Sequence, residues 1–99
     1  FGPVVCIYPF TNRDVAIKRA NALEVHFQAA VFTKNIDAAL ETSKKLNATA
    51  VMINDNTAFR VDWMPFGGRD SSGLGMGGIS YTINEMTREK LIVFKSKSL

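Results

Sequence analysis

Three short apolar runs, residues 4–8 (VVCIY), 29–32 (AAVF) and 50–53 (AVMI), recur along the chain with polar stretches between them, and this rhythm narrows the fold more than anything else. Each run is continuously apolar rather than alternating, the pattern of a strand covered on both faces. The stretches between them carry helix signals. Thr11 stands three residues before Asp14, a capping-box-like start, and Val15, Ala16, Ala20 and Leu23 then fall on one helical stripe. Asn35 is placed to cap a second helix with Ile36, Ala39, Leu40 and Ser43 as its buried stripe, and Lys44 and Lys45 suit its negative end. Strand, helix, strand, helix, strand predicts right-handed β-α-β crossovers, a mostly parallel sheet and a three-layer α/β fold.

The remainder changes character. Residues 54–78 hold every glycine except Gly2, together with Phe59, Arg60, Trp63, Pro65 and Phe66, and so long an irregular segment in a small domain is usually functional. Residues 79–88 predict a short helix with Ile79, Ile83 and Met86 at helical spacing, and 91–94 (LIVF) a final strand before a polar tail. Within the glycine-rich part, residues 73–78 (GLGMGG) satisfy the spacing G-x-G-x-x-G. A dinucleotide site needs a buried strand before those glycines and an acidic residue about 20 positions beyond them. Here Arg69, Asp70, Ser71 and Ser72 precede them, and Glu85 and Glu89 come too early, so sharp turning explains the glycines better than phosphate binding.

Composition sets outer bounds. With 46% hydrophobic and 21% charged residues, the 99-residue chain is that of one folded domain with a modest core, not of a disordered segment. The net charge of +3 is spread among nine acids rather than gathered in a stripe, which argues against nucleic-acid binding. No apolar run approaches the ~20 residues that span a bilayer. The single cysteine, Cys6, excludes an internal disulfide and favours a reducing, cytoplasmic setting. A start at Phe1 without methionine leads to the expectation of a piece of a longer protein.

No complete catalytic set is present. Cys6 lies in the first apolar run, where burial raises a thiol's pKa and denies access, so a structural role is expected. His26 is the only histidine, read as satisfied or solvent-facing, and no metal site is expected. Ser71 and Ser72 lack the G-x-S-x-G context of a nucleophile, and Asp55 and Asp62 read as turn formers. Arg60 is the more informative residue. Between Phe59 and Trp63, its guanidinium can take a carboxylate, phosphate or phosphonate bidentately, the alternative being a surface ion pair to Asp55 or Asp62.

Phe1-Gly2-Pro3-Val4-Val5, Ala20-Asn21, Val31-Phe32-Thr33, Ile53-Asn54, Pro65-Phe66-Gly67-Gly68, Ser72-Gly73-Leu74-Gly75 and Glu85-Met86-Thr87 together resemble the C-terminal part of the aldehyde dehydrogenase superfamily. The resemblance implies oxidation of an aldehyde to an acid with NAD or NADP. In that scheme a cysteine thiolate attacks the carbonyl, a hydride leaves to nicotinamide, and a glutamate-activated water releases the acid. Nucleophile, general base and cofactor fold would all lie before Phe1, so the isolated chain is expected neither to bind the cofactor nor to turn over.

The resemblance further implies that residues 1–88 close the catalytic domain and 89–99 form an oligomerisation strand and tail, giving a homo-oligomer. It places Phe1 beside the nicotinamide and residues 54–66 along the substrate tunnel, with Phe66 facing the reacting centre and Phe59, Arg60 and Trp63 beside it. The wording of residues 54–66 looks most like the branch containing lactaldehyde and phosphonoacetaldehyde dehydrogenases, which implies an anionic or hydroxylated aldehyde. Two positions depart from the family pattern: Asp70 stands where lysine is usual, and His26 where glycine usually precedes the second strand. The competing reading is a non-catalytic, self-associating interaction module.

Overall fold

The computed structural model describes residues 2–98. Helix α1 (Arg13–Asn21) leads through strand β1 (Val25–His26) into β2 (Gln28–Val31). Helix α2 (Ile36–Lys45) then crosses to β3 (Ala50–Ile53), and a long loop reaches β4 (Arg69–Asp70) and helix α3 (Ile79–Met86). The predicted crossover unit is present. β2 and β3 pair in parallel, from Gln28 opposite Ala50 to Val31 opposite Ile53, with α2 between them in sequence. Asn35 caps α2 as expected, its side chain accepting from the Ala38 N–H at 3.0 Å.

The three-layer sheet is not formed by these residues alone. Two separate two-stranded ladders exist instead, β2 with β3, and β1 antiparallel to β4. The apolar runs at 4–8 and 91–94 are not strands, and Val4, Val5, Ile7, Leu91, Val93 and Phe94 are exposed. A strand needs a neighbour to take its N–H and C=O groups, and nothing among the described residues pairs with either run. Cys6 is exposed for the same reason, contrary to the buried position expected of it. The principal strands β2 and β3 are only partly covered: Met52 alone of their residues is buried, and Ala30 and Ile53 are exposed.

The helices show where local pattern and packing part company. Asn12, not Thr11, caps α1, accepting from the N–H groups of Asp14 at 2.8 Å and Val15 at 3.4 Å. Asp14 turns outward to Lys45 at 2.7 Å, and the hydrogen bond and charge of Lys45 hold its carboxyl below the ordinary carboxylate value. Val15 and Leu23 are exposed, and Ile17 is the α1 residue that reaches the core. On α2, Ala39 is buried as read but Ile36 and Leu40 are exposed, and Thr42 takes the inward place, its hydroxyl donating to the Ala38 carbonyl at 2.6 Å. Arg13 ties α1 to α2 through the Glu41 carboxylate.

The core is correspondingly small: Ile17, Ala39 and Met52 are its buried apolar members. The accessible surface is 8848 Å², whereas a compact monomer of this mass exposes roughly 5,600 Å². The radius of gyration is 20.3 Å against about 13 Å for a compact domain of this length. The terminal apolar runs contribute to this surface, and so do Phe32, Trp63, Leu74 and Met86, all exposed.

Candidate functional site

The loop after β3 begins at a fixed point. Asn54 adopts φ 57°, a left-handed conformation that asparagine tolerates better than most residues. Its amide side chain faces Thr33 at the end of β2, accepting from the Thr33 N–H at 2.8 Å and donating to the Thr33 carbonyl at 2.9 Å. Its own N–H continues the ladder to the Val31 carbonyl at 2.9 Å. The chain therefore leaves the sheet in a set direction, at the carboxyl ends of two parallel strands, where open α/β sheets place ligands. Asp55 and Asn56 then make local turns, Asp55 accepting from the Asn56 N–H at 2.7 Å and Asn56 from the Ala58 N–H at 2.8 Å. The turn-forming role read for Asp55 is what the structure gives.

The far end of the loop is held against the glycine-rich segment. Phe66 and Gly77 exchange backbone hydrogen bonds at 3.0 and 2.7 Å, and the Ile79 N–H at the start of α3 donates to the Asp62 carbonyl at 3.1 Å. The turn from Gly68 to Ser72 is tight, since a Cβ on Gly68 would lie 2.3 Å from the Ser72 carbonyl oxygen. Gly78 at φ 119° redirects the chain into α3. A pyrophosphate cradle needs free N–H groups, and those of Gly77 and Ile79 are engaged on the loop. The strand that precedes residues 73–78, β4, is two exposed residues and not the buried strand a dinucleotide site requires.

Of the four residues expected along the substrate path, two are brought together. The Arg60 guanidinium lies over the Phe66 ring, its carbon 3.8 Å from the centroid. An exposed cation–π contact of this kind is worth about 0.5–1 kcal/mol. Neither Asp55 nor Asp62 forms an ion pair with Arg60, so its hydrogen-bonding edge is free of a carboxylate among the described residues. Arg60, Asp62 and residues of α3, including Ile79, Thr82 and Ile83, line an open groove of about 500 Å³. Phe59 and Trp63 are exposed and have no aromatic or cation–π contact with Arg60 or Phe66 among the described residues. Phe1, expected beside a nicotinamide, lies outside the described residues.

Two participants escaped the sequence reading. Phe27 packs on Phe66 with ring centroids 5.0 Å apart and planes at 82°. Asn47 donates to Asp70 Oδ2 at 3.0 Å and accepts from Arg69 at 3.2 Å. Neither sits in a pattern of its own, and the only available signal was the position of Phe27 directly after His26. His26 is buried, and its Nδ1 lies 2.8 Å from Asp70 Oδ2. The two departures from the family pattern noted above thus meet in space.

The geometry can be set beside known proteins. The aldehyde dehydrogenase family model matches residues 1–92. The chain belongs to the aldehyde dehydrogenase family. Lactaldehyde dehydrogenase of Methanococcus maripaludis is 43% identical over 93 residues, 94% of this chain and 20% of that protein. The 3-sulfolactaldehyde dehydrogenase of Priestia aryabhattai is 38% identical over the same shares. Among solved structures, NADP-dependent glyceraldehyde-3-phosphate dehydrogenase from Bacillus halodurans, complexed with NADP, superposes with a TM-score of 0.85 at 38% identity over 90% of this chain and 19% of that one. The chain therefore spans about a fifth of the length of the aldehyde dehydrogenases it matches, and no observation favours the self-associating interaction module. No helix among the described residues is long and apolar enough to cross a membrane.

Proposed function

We propose that this chain is the closing part of an NAD(P)-dependent aldehyde dehydrogenase that oxidises an anionic or hydroxylated aldehyde to its acid, and that residues 54–66 form one wall of the substrate tunnel. The observation that carries this reading is the Arg60 guanidinium, laid over Phe66 at 3.8 Å and free of an acidic partner among the described residues. A planar fork of N–H donors above an aromatic ring is suited to a carboxylate, sulfonate or phosphate, which it can bind bidentately. The related lactaldehyde, 3-sulfolactaldehyde and glyceraldehyde-3-phosphate dehydrogenases support a hydroxylated or anionic substrate.

In this reading the chain's own residues bind and orient. Arg60 holds the anionic end of the aldehyde, Phe66 presents an apolar surface toward the reacting carbon, and Phe59 and Trp63 narrow the passage and exclude water. Cys6, exposed on the N-terminal arm, is given no catalytic role in this reading. Nucleophile, general base and cofactor fold belong to parts of the enzyme outside these residues. NAD or NADP supplies the hydride acceptor; Phe1 is the one residue assigned to it, and no step is placed on the glycine turn. Residues 1–88 complete the catalytic domain, and 89–99, exposed and apolar at Leu91, Val93 and Phe94, form the strand that joins a neighbouring subunit in a cytoplasmic homo-oligomer.

Replacing Arg60 with alanine in the full-length enzyme tests this. A charge-assisted pair is worth about 1.5–3 kcal/mol, so kcat/KM for 3-sulfolactaldehyde relative to lactaldehyde falls by roughly 10- to 100-fold. Unchanged discrimination between the two refutes the assignment of Arg60.

A further inference from the structure

Arg60 can discriminate only if its guanidinium is already in place, because an arginine free to wander gives up about 2 kcal/mol of side-chain entropy on being held. Its platform is Phe66, itself on a loop. Two contacts fix that loop to the short segment around β1, and they come from consecutive residues. Phe27 packs against Phe66 at 5.0 Å between centroids. His26, immediately before it, is 9% exposed and holds Asp70 Oδ2 through Nδ1 at 2.8 Å. Asp70 is in turn bonded by Asn47 from the connection after α2, and stands at φ 51°, a conformation uncommon for a residue with a side chain.

The links between the two points are stiff. β1 and β4 are paired, Val25 opposite Asp70 and His26 opposite Arg69. The Ser72 N–H donates to the Arg69 carbonyl at 2.9 Å, and Gly68 lies so close to Ser72 that only glycine fits. Holding Asp70 therefore holds Gly68, two residues from Phe66. Holding Phe66 sets the ring under Arg60.

We propose that His26 and Phe27 are positioning residues for the anion-binding arginine, a two-point clamp in which Phe27 steadies the Phe66 ring and His26 anchors the turn behind it through Asp70. The inference rests on the tunnel reading of Arg60 and adds the residues that set its specificity. Neither clamp residue touches substrate; both act through Phe66.

The test uses the full-length enzyme with 3-sulfolactaldehyde and lactaldehyde as a matched pair differing in an anionic group. An aromatic pair contributes about 0.5–1.5 kcal/mol beyond its area, so Phe27→Leu lowers the ratio of kcat/KM for the anionic over the neutral aldehyde by roughly three- to tenfold. The loss appears in the KM of the anionic aldehyde rather than in kcat, and Phe27→Tyr, which keeps the ring, recovers most of it. His26→Gln, which removes the imidazole contact to Asp70, shifts the same ratio in the same direction and serves where Phe27→Leu fails to fold. An equal loss for both aldehydes, or none, overturns the clamp. Arg60→Ala run in parallel separates the two ideas: if it abolishes discrimination while the clamp variants keep it, the clamp is wrong and the tunnel reading stands. If Arg60→Ala itself keeps discrimination, both fall.

Discussion

Adding one methyl group at Gly68 gives a sharp trial of the claim that the glycines shape the loop sterically. An alanine Cβ there would sit 2.3 Å from the Ser72 carbonyl oxygen and 2.4 Å from the Ser72 carbonyl carbon and Cβ, where ordinary contact begins at 3.4 Å. The two sides of the turn must separate by about 1 Å, and two of the three atoms met are backbone, which cannot rotate away. Overpacking of this kind costs about 1–3 kcal/mol. Opening the turn also strains the Ser72 N–H to Arg69 carbonyl bond, worth about 1 kcal/mol. Local opening thus becomes easier by roughly 2–4 kcal/mol. Hydrogen exchange in the full-length protein reads this directly: the Ser72 amide exchanges faster by roughly thirtyfold or more. Gly75→Ala is the control, since its Cβ meets only the flexible end of Glu85 at 3.1 Å. Exchange at Ser72 that differs less than about threefold between the two variants refutes the steric argument.

The start of the loop and the acid limb of stability give two further trials. Asn54→Gly keeps the left-handed backbone but loses both bonds to Thr33, whereas Asn54→Ala loses the bonds and strains φ 57°. Alanine is therefore the more destabilising by about 1 kcal/mol in thermal unfolding, and equal effects would sink the conformational part of that account. Asp14 is held below its ordinary value of 3.8 by Lys45, so the pair's contribution is present above that value and disappears as pH falls through the lowered folded value. The melting difference between wild type and Lys45→Met is accordingly full near neutrality and shrinks in strong acid, as a pH series of melts will record. A difference that grows on acidification reverses the sign and ends the argument.

Legibility in the sequence followed the range of the interactions. The β2-α2-β3 unit could be read because everything that makes it is local: the Asn35 cap, the lysines at the end of α2, and two apolar runs joined by one helix. Where two residues compete for the same backbone donors, spacing decides poorly, and Asn12 displaced Thr11 because its side-chain oxygen reaches two N–H groups. The inward face of α1 was misread for a different reason. Its orientation is set by Ile17 and by the link from Arg13 to Glu41, partners that no pattern within the helix reveals. In the candidate site, Arg60 stood out because it lies among aromatics in one unusual loop, and Phe66 through the family resemblance. Phe27, His26 and Asn47 act across long sequence separations, and two-residue strands such as β1 and β4 have no periodicity to detect.

The surplus of exposed surface bears on where the stability of this segment comes from. Burying apolar area yields about 25 cal/mol per Å², yet among the described residues only three apolar side chains are buried, of which Ala39 is one. Ordering each residue costs about 1–2 kcal/mol in backbone entropy, so a core of that size cannot fix both the ladders and the arms. The contacts that do hold the loop are polar and aromatic ones on its inner side: Asn54 with Thr33, His26 with Asp70, Phe27 with Phe66. They set the shape of the loop, while the apolar runs at 4–8 and 91–94 stay exposed and add little to it. On the clamp proposed above, a change at Phe27 or His26 alters which aldehyde the full-length enzyme prefers before it alters how well the protein folds.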